Sequence, residues 1–196
     1  MKGMDVMMFW KAFLTALIFV SPALADDGFY TRFDAAYAAP VQKGGREGYA
    51  WRSGFGWRLA SHFRLEMTAG YTRNRFGNGF RADQSHGRLS STAVFANAAV
   101  DLFTAAGATP FVFGGIGLSR NRTRPSDIGA AAVPPGSRHA LARQGGAGIA
   151  FALPEGLTLD VGYAYTDYGR FGFTPLSAEK SSVRQVFAGV RYDFKD

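Results

Sequence analysis

From Val183 to Phe194 the chain alternates strictly. Val186, Ala188, Val190, Tyr192 and Phe194 form one set; Gln185, Phe187, Gly189, Arg191 and Asp193 form the other. A period of two puts these sets on opposite faces of a strand that separates two unlike environments. The same pattern predicts strands over 29–38, 49–59, 63–72, 89–103, 110–119, 141–153 and 157–166. Phase is plainest in 157–166 and weakest in 110–119, where Val112, Ile116 and Leu118 are expected outside and Phe111 and Phe113 inside. The connections alternate in length. Ala60-Ser61-His62, the stretch from Thr104 to Thr109, and Pro154-Glu155-Gly156 are short turns, whereas 73–88, 120–140 and 167–182 are long and polar. Eight strands joined in this way predict an all-β fold, an eight-stranded antiparallel up-and-down transmembrane β-barrel, with short turns toward the periplasm and long loops outside.

The composition of the two faces decides between membrane and water. A soluble ligand-binding barrel keeps bulky apolar side chains inside. Here one face carries Trp51, Phe55, Trp57, Phe63, Leu65, Val161, Tyr163 and Tyr165, while the other mixes charges with glycine and alanine. The large apolar face therefore points to lipid and the small polar face to a narrow lumen. Aromatics gather near strand ends, with Trp57, Phe63, Phe103 and Phe194 below and Tyr37, Tyr71 and Tyr165 above, as interfacial girdles require.

The first 25 residues stand apart. Lys2 and Lys11, the apolar run Ala12 to Val20 and the ending Pro22-Ala23-Leu24-Ala25 read as a secretory signal peptide cleaved after Ala25, leaving 26–196 as the barrel domain. Asp5 is unusual in the charged region, and a start at Met7 or Met8 would remove it. The chain has no cysteine, so this exported protein draws on a closed, fully paired sheet rather than on disulfides.

The lumen set contains Arg32, Arg52, Arg58, Arg64 and Arg191 against Asp34, Glu66, Asp101, Asp160 and Asp193. This balance predicts a paired network that fills the space an eight-stranded barrel encloses. The formal net charge of +7 must then sit at the outer rim, on Arg73, Arg75, Arg81, Arg88, Arg120, Arg122, Arg124 and Arg138. Such a rim suits outer-membrane lipids and lipopolysaccharide, or host and matrix polyanions. Nucleic acid is excluded by export.

Tyr30-Thr31-Arg32-Phe33-Asp34, Glu66, Asn97, Pro110 to Gly117, and Gly189-Val190-Arg191-Tyr192-Asp193-Phe194 together resemble the small outer-membrane β-barrels of the opacity-protein and outer-membrane-protein-A-like class. The resemblance implies a monomeric surface protein of the bacterial outer membrane. It also implies a structural or adhesive role without cofactor, and recognition of the terminal strand by the barrel-assembly machinery. Lys195 and Asp196 extend past the terminal aromatic that this class presents. Two alternatives follow from the same residues. A narrow ion channel would run along the lumen charges. A lipid A-modifying enzyme would need a nucleophile and base near the outer leaflet, for which Ser85-His86 and Ser137 with His139 are the candidates; His62 lies at the periplasmic end. No metal-ligand spacing is present.

Overall fold

The computed structural model describes residues 28–42, 45–76, 87–125, 136–171 and 179–194. The expected leader 1–25 lies outside them, as do Arg81, Ser85 and His86. Eight strands follow one another: β1 (Phe29–Pro40), β2 (Gly45–Ala60), β3 (Phe63–Phe76), β4 (Gly87–Asp101), β5 (Ala108–Pro125), β6 (Gly136–Ala152), β7 (Leu157–Phe171) and β8 (Glu179–Asp193). Each pairs antiparallel with its neighbours, and β1 pairs with β8 from Tyr30↔Asp193 to Pro40↔Val183, which closes the barrel.

At the periplasmic end the turns are tight. Ser61 and His62 join β2 to β3. Ala106 and Gly107, at φ 50° and 78°, form the left-handed pair between β4 and β5, the backbone whose twist suits a two-residue hairpin. Phe29 shares its face of β1 with the exposed Phe33 and Tyr37 but is itself buried, because Trp57 (5.0 Å), Phe194 (5.6 Å) and Phe55 (6.2 Å) surround it.

At the other end the strands run further than the alternation indicates. Arg73 and Arg75 belong to β3, Arg88 to β4, Arg120, Arg122 and Arg124 to β5, and Arg138 to β6; Asp167 is in β7. All of these were expected in loops. Crossing the apolar band takes about 9–11 tilted strand residues, whereas β1 has 12 and β5 has 18. Beyond the band both faces meet water, so backbone pairing continues while the apolar alternation that reveals a strand disappears.

The outer surface is apolar at membrane depth: Ile116, Leu118 and Leu141 are 67%, 70% and 72% exposed. Side chains this open require lipid rather than water around them. Inside, each large ring lies over a glycine of a neighbouring strand. A Cβ on Gly148 would come within 2.7 Å of Phe111, on Gly146 within 2.8 Å of Phe113, and on Gly162 within 2.8 Å of Phe187. The lumen thus holds more aromatic volume than a face of charges, glycine and alanine suggests, because glycine makes room for the rings.

Candidate functional site: a filled lumen and a basic rim

A cavity of about 500 Å³ opens at the periplasmic mouth, lined in part by Arg58, His62, Glu155, Arg191 and Asp193. Arg58 and Asp193 pair there at 3.2 Å. Above it the charges interlock. Arg52 donates from Nε to Asp34 (2.6 Å), and Arg32 binds Asp34 (2.9 Å) and Glu66 (2.7 Å). Arg64 binds Glu66 (3.0 Å) and Asp101 (2.8 Å). The Tyr30 hydroxyl donates to Glu66 at 2.7 Å. The chain Arg52–Asp34–Arg32–Glu66–Arg64–Asp101 crosses the lumen as one connected plug.

Asp160 is looser. It stands 3.7 Å from both Arg32 and Arg191, and neither of its oxygens accepts a hydrogen bond from the described residues. Arg191 sits instead over the ring of Tyr30, at 5.2 Å. Arg52 lies over Phe187 (4.8 Å) and Arg64 over Phe111 (5.1 Å). Guanidinium planes on aromatic faces join the charged layer to the ring layer. With these contacts, every one of the ten lumen charges read from the sequence has an opposite charge at 2.6 to 3.7 Å.

Toward the outside the lumen turns neutral. Gln144 donates to Asn97 (2.5 Å), which donates to Thr68 (3.0 Å). A void of about 20 Å³ touches Asp34, Arg52, Gln144 and Tyr168, room for a single water. Tyr168 closes the top. Its hydroxyl shares a 2.6 Å hydrogen bond with Thr72, and its carbonyl accepts from Ser119 (2.6 Å) and Asn121 (2.8 Å) across β6. The register shift between Asp167 and Arg170, with Gly169 at φ 78°, bends β7 inward there. A Cβ on Gly169 would stand 2.6 Å from that of Ala140, so only glycine lets the strand fold over so closely. Sequence reading missed this lid because it put 167–182 in a loop; carrying the even-numbered face of β7 two residues past Thr166 would have found Tyr168.

The rim is built differently. Arg46, Arg75, Arg120, Arg122 and Arg138 are exposed, and Arg73 and Arg88 half-buried. Arg73 donates to the Tyr49 hydroxyl at 3.2 Å. Among the described residues, none of Arg46, Arg75, Arg88, Arg120 and Arg122 has a carboxylate partner, whereas Arg143 pairs with Asp167 at 3.3 Å. Side chains of the enzyme alternative are partly in view. Ser137 and His139 are both exposed on β6, and no described acid orients His139; His62 meets Ser61 at 2.8 Å on the periplasmic turn. No group of metal-binding side chains occurs among the described residues.

Residues 12–194 match the family model of the outer membrane protein beta-barrel domain. The chain is similar in fold to Neisserial surface protein A (24% identity, TM-score 0.62, covering 86% of this chain and 98% of that one). It is similar to the outer membrane protein OprG from Pseudomonas aeruginosa (15% identity, TM-score 0.55, 87% and 97%). A third likeness is to Ail, the attachment invasion locus protein of Yersinia pestis, in complex with the heparin analogue sucrose octasulfate (16% identity, TM-score 0.51, 85% and 100%). No curated protein matches the chain.

Proposed function

The chain belongs to the outer membrane protein β-barrel family, and from that premise we propose an envelope surface protein that binds polyanions through its outer rim. The protein is a surface barrel of the bacterial outer membrane. Its lumen serves structure: a plug of paired charges, a layer of rings and the Tyr168 lid stand in series between the two mouths. That stacking argues against the channel alternative, since an aqueous path would have to break all three.

The observation that carries the binding role is the set of outward arginines without described carboxylate partners. Cations kept at a rim without partners suit lipopolysaccharide phosphates or sulfated and acidic polymers. The sulfated ligand of the Yersinia pestis barrel offers a chemical analogy for such a rim. In this reading the barrel acts as a monomer without a cofactor. Its terminal strand presents Phe194, stacked on Phe29 at 5.6 Å, to the assembly machinery.

The test uses protein refolded in a zwitterionic detergent, with folding checked by faster migration of the unboiled sample on a denaturing gel. Binding to lipopolysaccharide or to heparin should be strong at low salt and should weaken steadily as salt rises. Absence of binding to both at low salt would sink the proposal.

A further inference from the structure

Strand register sets the rim arginines in rows. Arg46 of β2 is opposite Arg75 of β3, Arg75 is opposite Arg88 of β4, and Arg88 is opposite Arg124 of β5. One rung lower, Arg73 is opposite Ser90, and Ser90 is opposite Arg122. A rung below that, Arg120 is opposite His139. A bulge between Arg46 and Tyr49 keeps Arg46 in step with Arg75. In an unbulged ladder continued from Tyr49 opposite Arg73, Glu47 rather than Arg46 would stand opposite Arg75.

Like charges directly opposite on neighbouring strands destabilise a sheet, yet here four follow one another across four strands. Among the described side chains, none of Arg46, Arg75 and Arg88 has a carboxylate partner. The nearest carboxylate in sequence, Glu47, lies beside the Tyr37 hydroxyl on β1. Arg88 is half-buried within the row, and its Nε is shielded from solvent with no hydrogen-bond partner. A row of this kind is stable once a ligand with several closely spaced negative charges lies along it.

Height selects the ligand. From Phe63, at the periplasmic edge, to Arg75 the strand climbs roughly 30 Å, taking ~3.3 Å per residue and a tilt of about 40°. The apolar band is about 25 Å tall. The row therefore lies just above the band, at headgroup level, and faces sideways along the membrane rather than up into the medium. We propose that the outward face of β2–β5 is a binding site for the phosphate groups of an outer-leaflet glycolipid, held by the arginine row that strand register creates. This rests on the polyanion reading above and narrows it to one side of the barrel and one source of anion.

The experiment compares a row variant, R75Q/R88Q/R124Q, with a control on the far side, R170Q/K180Q/R184Q, which removes the same charge. Both are refolded and titrated with micelles carrying bis-phosphorylated lipid A, with micelles carrying its dephosphorylated form, and with soluble heparin. The row variant should bind phosphorylated micelles at least about tenfold more weakly, as expected for three lost surface cations, while the control stays within about twofold of the parent. Equal losses in the two variants would overturn the site in favour of a diffuse positive field. A parent protein that binds heparin but does not prefer phosphorylated micelles would overturn the glycolipid assignment and leave the polyanion reading standing. Binding to neither removes that reading as well. Should the triple variant fail the gel-shift test of folding, R75Q and R75K serve instead: charge retention in R75K should restore binding that R75Q loses, and equal binding by the two would count against the row.

Discussion

Arginine does two opposite jobs in this barrel. In the lumen, Arg32 and Arg64 are almost wholly shielded and each meets two carboxylates within 3.0 Å. At the rim, Arg75 and Arg122 are exposed and have no described carboxylate. Inside, the guanidinium is a bridging part whose removal leaves opposite charges stranded in a low-dielectric space. Outside, it is surface charge with little structural consequence. Location decides which property of the side chain matters.

The comparison breaks first at Glu66. Glu66→Gln removes the carboxylate shared by Arg32 and Arg64 and should lower stability by about 3–5 kcal/mol, the cost of an unpaired buried charge. Equilibrium unfolding in urea is the measurement, and a loss near zero would deny the plug its structural role. Next comes Gly148→Ala, which pushes a methyl into the Phe111 ring and should cost roughly 1–3 kcal/mol by overpacking. Asp160→Asn should cost less than Glu66→Gln, because its pairs at 3.7 Å contribute less than the short ones; the same unfolding assay ranks the two. Last is the rim. Arg122→Gln should leave stability within about 0.5 kcal/mol of the parent, and Arg143→Gln should cost at most about 1 kcal/mol because the Arg143 end of its pair with Asp167 is 71% exposed. Raising salt sharpens the contrast, since screening weakens exposed charges far more than buried ones.

How much of this could be read from the sequence follows the same division. Wherever one face of a strand meets lipid and the other the lumen, alternation exposes it, and β7 from Leu157 to Thr166 could be assigned residue by residue. Membership of the lumen set was legible for the same reason: Arg32, Glu66 and Asp160 fall on the small-residue face of their strands. Partnership was not legible. Arg32 of β1 reaches Glu66 of β3 past β2, and Asp160 ends up loosely held, because such distances depend on how the rows slant around the closed barrel. Where water meets both faces the periodicity fails, which is why Arg73, Arg75, Arg120 and Arg122 read as loop residues. Arg46, placed by a bulge, carries no local signal of its register.

The lid formed by Tyr168 has an evolutionary consequence. The outer mouth is closed by a strand residue and a bend at Gly169, with Ser119, Asn121 and Thr72 gripping from other strands. The seal at the outer mouth is thus part of the sheet itself. Substitutions on the outward face of the rim that leave Tyr168, Gly169 and their partners in place can therefore accumulate under immune or host pressure without making the envelope leak. The barrel is in that sense a display platform, with its weatherproofing built in below the part that changes.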